Sequence, residues 1–185
     1  KGQVEPVQFS QERGFYTAPF ELVLSTNTEG ADIIMTFDGS RPTNTHGIPY
    51  ATPLSITRTR TVRAVAIAPG YLDAQVQTHS FIFLDNVKQQ SPNNTSPGPN
   101  WPTHSINGQT LDYAMDPDVV THPKYRDLMD DALLALPAIS LVTDLKHLFH
   151  PAQGIYVNPG KEGRAWERPV SVELIQPDNE SSTEF

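Results

Sequence analysis

Three aspartates in one short polar stretch are the residues whose types and spacing come nearest to a metal site. Asp112 stands just before the sequence YAMDPDVV, which contributes Asp116 and Asp118. Carboxylate oxygens are the ligands that Ca²⁺ prefers, and alternate carboxylates can converge on one ion. The spacing is loose, however, and Asp118 or Thr121 could instead serve the start of a following helix, where a negative or capping group is favourable. The sequence therefore gives calcium as a candidate cofactor, with a helix start as the alternative.

Four aromatic residues could stack on sugar rings. A pyranose presents an apolar C–H face, and an exposed aromatic ring is a flat partner for it. Beside Trp166, the residues Glu167 and Arg168 add charged groups that could form hydrogen bonds with a sugar. The alternative for Trp166 is packing against a helix predicted at residues 123–136. The candidate ligand-binding residues are Trp166, Trp101, Tyr50 and Tyr71.

The stretch TFDGSRPTNTHG, residues 36–47, raises a similar choice between a metal loop and a turn. Gly39 can adopt positive φ, and Asp38 can accept a hydrogen bond from the backbone two residues further on. A calcium loop needs several converging oxygens, but Asp38 is the only carboxylate between Asp32 and Asp73. The stretch is therefore predicted to be a turn.

The sequence contains no motif typical of an enzyme. It has no G-x-S-x-G elbow, no Walker A loop and no cysteine, and the segment GKEG at residues 160–163 is weak evidence for a phosphate loop. His147 and His150 in HLFHP could share a metal ion, but a helix C-terminus also favours histidine. A glycosidase carboxylate pair is recognised only by its geometry. We therefore predict no catalytic residue in this chain.

The charge limits the partners that the chain can bind. Its 185 residues include 13 basic and 21 acidic side chains, for a net charge of -8. Such a chain repels nucleic acid and anionic membrane surfaces unless a basic patch opposes the net field. The densest basic stretch, residues 58–63, divides its arginines between two strand faces, and no apolar run is long enough to span a membrane. We expect polysaccharide or other protein chains as partners, with no nucleic acid and no membrane insertion.

The elements that must position these residues begin with a series of short β-strands. The runs are rich in β-branched or aromatic residues and are closed by Gly, Pro, Asn or Asp, at a spacing typical of a small antiparallel sandwich. The last two runs are apolar on both faces and are predicted to be central strands. The runs are FELVLS, DIIMTF, LSIT, TVRAVAI and THSFIFL, between Phe20 and Leu84.

The second half of the chain has a different pattern. Residues 86–101 contain three prolines and no apolar periodicity, which is typical of a linker or a strap over a surface. Apolar residues then recur at three- and four-residue steps over residues 121–136, which predicts an amphipathic helix that Pro137 ends. Strands are predicted at residues 138–143, 154–158 and 168–175, and helix followed by strands indicates an α+β unit.

Two resemblances extend this interpretation. The segments GFYTAPFELVLST, GADIIMTFDGSRPT and PLSITRTRTVRAVAIAPGYLDAQVQTHSFIF, within residues 6–84, resemble the C-terminal module of chitobiases and β-hexosaminidases. That resemblance implies an immunoglobulin-like or fibronectin-III-like sandwich and an accessory role in a secreted bacterial protein. Residues 113–175, above all GIYVNPGKEGRAWERPVSVELI, resemble the opening of the spore-coat-kinase-like (CotH) region of multidomain proteins, notably in bacteria such as planctomycetes. That family's nucleotide-binding and catalytic parts would lie beyond Phe185, so none is carried onto a residue here.

Together these observations predict a mainly β chain in three parts. An Ig/FnIII-like antiparallel sandwich at residues 1–85 is followed by a Pro/Asn-rich linker at 86–112 and a small α+β unit at 113–185 that looks cut short. The expected function is a non-catalytic accessory region of a secreted or cell-surface bacterial protein, which presents or spaces domains and contacts polysaccharide. The alternatives are an N-terminal fragment of a kinase-like enzyme and a structural part of an extracellular protein assembly.

Overall fold

Short β-strands make up most of the regular structure, which confirms the predicted mainly β class. A computed structural model describes residues 2–90, 97–178 and 182–184 of the chain. The strands of the first half are β1 (Gln8–Phe9), β2 (Gly14–Phe15), β3 (Phe20–Leu22), β4 (Leu24–Ser25), β5 (Asp32–Thr36), β6 (Ile48–Pro49), β7 (Leu54–Ile56), β8 (Arg60–Ile67) and β9 (Gln77–Ile82).

These strands form one large sheet and two small ones that enclose the main hydrophobic core. The large sheet has the order β2-β9-β8-β5-β6, in which β2 pairs parallel to β9 and the other pairs are antiparallel. The small sheets are β3–β7 and β1–β4. Leu22, Leu24 and Ile56 of the small sheets are buried in the same core as Val62 and Phe81 of the large sheet. The prediction that the runs at β8 and β9 are central strands is confirmed, because each pairs on both sides.

The prediction of one continuous strand at FELVLS is wrong, because the chain changes partner at Val23. Before that residue β3 pairs with β7, and after it β4 pairs with β1. Val23 lies between the two strands, where its N–H donates to the Ser10 hydroxyl and its carbonyl accepts from the Ser10 N–H. Ser10 thus satisfies both backbone hydrogen-bonding groups of Val23, the residue between β3 and β4.

A fourth sheet, three-stranded and antiparallel, lies in the C-terminal part of the chain, which we call the C-terminal unit for the predicted range 113–185. Its order is β10-β11-β12, so β11 is central. The predicted strands at 138–143 and 168–175 are confirmed as β10 and β11, whereas β12 was not predicted. The strands of this sheet are β10 (Ala138–Val142), β11 (Ser171–Ile175) and β12 (Thr183–Glu184). The helices of the described residues are α1 (Leu84–Lys88), α2 (Pro117–Val120), α3 (Met129–Leu134) and α4 (Leu145–Phe149), with 3-10 turns at Arg126–Leu128 and Arg164–Trp166.

The amphipathic helix predicted at residues 121–136 is present only in part. The α-helical segment is α3, preceded by the 3-10 turn. The helix begins late because His122 holds the preceding turn: its ring accepts a hydrogen bond from the Lys124 N–H, and its carbonyl accepts from the N–H groups of Tyr125 and Arg126. Met129 is buried, but Leu128 and Leu136 are exposed. Most of the predicted apolar stripe therefore does not face a core.

The strand predicted at GIYVN, residues 154–158, is also wrong. The N–H groups of Ile155 and Tyr156 donate to the carbonyls of His147 and Leu148, so they close turns after α4 and do not pair with a strand. Gly154 permits this, because a Cβ atom there would overlap the Leu148 carbonyl. A short apolar run does not by periodicity alone identify a strand.

The two faces of the C-terminal sheet differ in an unusual way. Ser140 and Glu173 point towards the large sheet of the sandwich, whereas Ile139 and Leu141 lie on the opposite face and are each 67% exposed. Across the strands these two residues stand opposite Leu174 and Val172. The covered face thus carries Ser140, Ser171 and Glu173 together with the buried Val142 and Ile175, and the wholly apolar face is the open one.

The division of the chain at residues 85 and 112 stays a prediction. The start of the predicted linker continues α1, and Lys88 there forms ion pairs with Asp85 and with Asp130 of α3. Residues 91–96 of the linker lie outside the described residues.

Candidate functional site

The contact between the sandwich and the C-terminal unit is built on one row of polar side chains. Ser140 of β10 stands opposite Glu173 of β11, which in turn stands opposite Glu184 of β12. Residues in register across antiparallel strands project from the same face of a sheet. This places three polar groups side by side, facing β9. Together with Arg13 and Ser80 of the sandwich, they form what we call the junction network.

The carboxylates of this row satisfy the open edge of β9. Strand β2 pairs with β9 only at Phe81 and Ile82, so the preceding residues have no strand on that side. The Ser80 N–H donates to Glu173 Oε1 at 2.9 Å, and the Thr78 N–H donates to Glu184 Oε2 at 3.2 Å. An uncovered strand edge invites pairing with another chain. Here side-chain carboxylates take the place of the missing strand.

Arg13 holds the two carboxylates together. Glu173 and Glu184 are direct cross-strand neighbours, and like charges in that position repel. Arg13 Nη1 lies 3.7 Å from Glu173 Oε1, and its Nη2 donates to Glu184 Oε2 at 3.3 Å. Arg13 and Glu173 are both buried. Burial raises the pKa of Glu173, while hydrogen bonds from Ser80 and Ser140 and the charge of Arg13 lower it in part.

The DGS stretch makes a second contact at this junction, and its prediction as a turn is confirmed. Gly39 has φ 79°, and Asp38 Oδ1 accepts from the Ser40 N–H at 3.0 Å. The Ser40 hydroxyl also lies 2.8 Å from His46 Nε2, which closes the loop. Asp38 bonds Ser40 and not His46, so these residues do not form the order of a catalytic triad. Their role is to shape the turn.

The backbone of the C-terminal unit approaches Gly39 closely. A Cβ atom at Gly39 would stand 2.6 Å from the Thr143 carbonyl oxygen, nearer than non-bonded atoms approach. Glycine at this position is therefore required twice, once for its positive φ and once for the contact across the junction.

We expect Gly39→Ala to destabilise the protein more than Gly70→Ala. Both glycines have positive φ, 79° and 83°, so both variants carry a backbone cost of about 1–2 kcal/mol. A Cβ atom at Gly70 would meet nothing within 4 Å, so the clash with Thr143 adds roughly another 1–3 kcal/mol at Gly39 alone. Urea unfolding measures the difference, and hydrogen exchange of residues 140–145 should rise only in Gly39→Ala. Equal losses in the two variants would contradict the contact.

A cleft of about 450 Å³ opens beside these contacts, and we call it the junction cleft. Arg41 and Arg63 line it from the sandwich, and Asp144, Lys146 and His147 line it from the C-terminal unit. Burial lowers the pKa of Arg63, while the nearby carboxylates of Glu184, Asp144 and Asp38 raise it in part. Burial also lowers the pKa of His147, against the charge of Asp144.

The four predicted sugar-stacking residues lie in different surroundings. Trp101 packs edge-on against Tyr113 and Phe149, and the Arg168 guanidinium covers the Trp166 ring at 5.2 Å. Tyr50 is half-buried against the sandwich core, and Tyr71 is 51% exposed. Among the described residues, no ring contact joins any two of the four, and their role in ligand binding stays a prediction.

An apolar groove of about 610 Å³ lies near Trp101 and was not predicted from the sequence. Leu148, Ile155 and Tyr156 line it, and Tyr156 packs edge-on against Phe149, which in turn contacts Trp101. Tyr156 is 42% exposed. The groove thus extends the aromatic cluster around Trp101 to the surface, and the ring of Tyr156 is more exposed than that of Trp101.

Two of the three predicted metal residues bond the local backbone with their side chains. Asp112 Oδ1 accepts from the Ala114 N–H and Asp116 Oδ1 from the Asp118 N–H, both at 2.9 Å. Asp116 thereby caps α2, and Asp118 stands in its first turn. Over residues 2–90, 97–178 and 182–184, no group of three or more His, Cys, Asp or Glu side chains could hold a metal ion. The helix start is the geometry found, and calcium stays a prediction without a site.

The histidine pair of HLFHP is likewise engaged separately. His147 Nδ1 lies 2.8 Å from the Thr143 hydroxyl, and His150 Nδ1 accepts from the Ala152 N–H. The two rings therefore use their Nδ1 atoms on different partners.

The geometry of the first half can now be compared with known proteins. Residues 11–78 match the family model of the chitobiase/beta-hexosaminidase C-terminal domain. This chitobiase-type module contains Arg13, Gly39 and Arg63 but ends before Ser80, so the residues that receive the C-terminal unit lie within it and just after it. The matched domain is the C-terminal domain of a carbohydrate-active enzyme and supports a non-catalytic accessory module over these residues.

The other comparisons add no relative. No curated protein and no solved structure matches the chain. The resemblance of residues 113–175 to the CotH region lies outside the matched range and stays a prediction. No helix within the described residues is long and apolar enough to cross a membrane.

Proposed function

We propose that the chain is a non-catalytic accessory region of a secreted or cell-surface bacterial protein. In it the chitobiase-type module holds the C-terminal unit in one orientation, and the region contacts polysaccharide. The junction network carries the first part of the proposal, because a buried carboxylate that bonds the edge of another sheet fixes position and angle together. A flexible tether between independent domains would need no such contact.

The apolar groove beside Trp101 supports the contact with polysaccharide. Sugar-binding surfaces combine an exposed aromatic face with a few polar groups around it. Tyr156 supplies the ring, and Asn107 borders the groove, where its side-chain amide donates to the carbonyls of Tyr156 and Val157. Trp166 is a weaker candidate than it seemed from the sequence, since Arg168 covers one of its faces.

We expect Tyr156→Ala to reduce retention of the chain on insoluble polysaccharide at least five-fold, because one lost aromatic contact is worth about 1 kcal/mol or more. Retention is measured on chitin and cellulose, together with quenching of tryptophan fluorescence. Tyr125→Ala is the matched control, since Tyr125 is also 42% exposed and lies away from the groove lining. Loss of retention in Trp166→Ala or Tyr71→Ala with Tyr156→Ala unchanged would move the site to that residue.

The open apolar face of the C-terminal sheet favours a second candidate, a structural part of an extracellular assembly. Ile139 and Leu141 project there with nothing over them in the described residues, and an exposed apolar patch of this kind is typical of a surface that meets other protein. Light scattering on the same samples decides between the two. Concentration-dependent oligomers without any retention on polysaccharide would favour assembly.

A further inference from the structure

The junction cleft contains two arginines whose charges no carboxylate balances directly. The nearby acidic groups are already engaged: Asp144 pairs with Lys146 at 2.9 Å, and Glu184 pairs with Arg13 at 3.3 Å. Arg41 and Arg63, by contrast, form no ion pair within the described residues. The charged side chains that line the cleft, Arg41, Arg63 and Lys146 against Asp144 and Glu184, leave it with a net charge of about +1 in a chain whose net charge is -8.

Arg63 is held in place but incompletely satisfied. Its Nη1 donates to the Gly39 carbonyl at 2.8 Å, which fixes the plane of the guanidinium. Its Nε is buried without a hydrogen-bond partner in the described residues. A partly buried cation that lacks a counter-charge is costly, and an anion supplied from outside would relieve that cost.

We propose that the junction cleft binds an oxyanion carried by a small ligand, with Arg63 and Arg41 as its two cationic contacts. The planar guanidinium matches the geometry of a carboxylate, sulfate or phosphate group better than an ammonium does. A cleft of about 450 Å³ is in the range of small-molecule sites and holds a group of the size of one sugar. The shared chemistry is the oxyanion; the candidates are a uronate, a sulfated sugar and a sugar phosphate.

The position of the cleft gives the binding a further consequence. Arg63 and Arg41 belong to the chitobiase-type module, whereas Lys146 and His147 come from the C-terminal unit. A ligand that fills the cleft touches both and stabilises the docked arrangement by mass action. This site is separate from the aromatic groove, so its test does not depend on polysaccharide retention.

The test is titration of the full chain with glucuronate, glucose 6-sulfate and glucose 6-phosphate, followed by the arginine Nε–Hε NMR signals. We expect the Arg63 signal to shift in a saturable way with at least one of the three and not with glucose. Arg63→Gln should weaken that binding at least ten-fold and Arg41→Gln several-fold. Arg58→Gln removes the same charge from an exposed position outside the cleft and should leave it unchanged.

The variants also distinguish binding at the cleft from a loosened turn and from a general effect of net charge. If Arg63→Gln loosens the turn through the lost bond to Gly39, Arg41→Gln decides alone, since Arg41 makes no hydrogen bond among the described residues. Equal weakening in Arg58→Gln would reduce the effect to net charge and overturn the site. No saturable shift with any of the three ligands would overturn it as well. The ligand that binds most tightly of the three identifies whether the oxyanion comes from a uronate, a sulfated sugar or a sugar phosphate.

Discussion

Replacing Glu173 with alanine is expected to lower the free energy of unfolding by about 3 kcal/mol or more. The substitution leaves Arg13 buried with one carboxylate instead of two and leaves the Ser80 N–H without its acceptor. Breaking a buried charge pair by removing one partner is costly because the other charge stays in a poorly solvated site. Urea unfolding measures the loss, and the C-terminal unit should unfold at a lower urea concentration than the sandwich.

Two further variants separate the charge of Glu173 from its hydrogen bonds. Glu173→Gln keeps an oxygen for the Ser80 N–H, and because burial already raises the pKa of Glu173, loss of the charge alone should cost only about 1 kcal/mol. Glu162→Ala, at an exposed position with no side-chain contact among the described residues, should have no effect. A loss in Glu173→Ala as small as that in Glu162→Ala would show that the junction network does not hold the halves together.

The second large effect is expected on acidification and arises from His79. This side chain is buried and stacks on Phe9 with ring centroids 4.0 Å apart. Burial, helped by the charge of Arg13, lowers the pKa of His79 to about 3. An unfolded histidine has a pKa of about 6.5. Between about pH 3 and about pH 6.5 the unfolded chain therefore binds a proton at this histidine, whereas the folded chain does not. Stability should therefore fall by about 1.4 kcal/mol for each pH unit between about 6.5 and about 3.

The comparison of wild type with His79→Phe isolates this effect. Phenylalanine keeps the stack on Phe9 and cannot be protonated, so the variant should not show this fall in stability with pH. On going from neutral pH to pH 4.5, wild type should lose roughly 3 kcal/mol more of its free energy of unfolding than the variant loses. Glu173 acts in the opposite sense: its raised pKa makes the folded chain take up a proton first, which adds stability as the pH falls. Because both proteins contain Glu173, that contribution cancels. Parallel pH profiles for wild type and His79→Phe would exclude His79, and His104→Phe, at an exposed position, serves as the control.

The sandwich could be predicted from the sequence because its signals are local. Alternation and strand composition located β5, β8 and β9, and Asp38-Gly39 gave a turn whose chemistry depends on two neighbouring residues. Two strand predictions failed where a partner outside the run decides. Val23 interrupts a good strand pattern because of Ser10, and residues 154–158 form turns because of carbonyls in α4.

The junction network was missed for the same reason, although one signal for it was present. In VSVELI, Glu173 occupies the same alternation as Ser171 and Ile175, which are buried. A charge on the buried face of a strand needs a partner, and that requirement could have been read from the pattern. Which residue supplies the partner could not, since Ser80 belongs to a different sheet and Arg13 to the bend before β2, and neither is marked for this role in the sequence.

The network also sets an order of events during synthesis. Glu173 is 93 residues from Ser80, and Glu184 is 171 residues from Arg13. A ribosome delivers the chain from its N-terminus, and domains fold as they emerge. The sandwich can thus assemble while its last strand still has a bare edge and Arg13 still faces water. Only when residues 173–184 have left the ribosome can their carboxylates close that edge, so the nascent protein passes through an interval in which it is most exposed to wrong pairing.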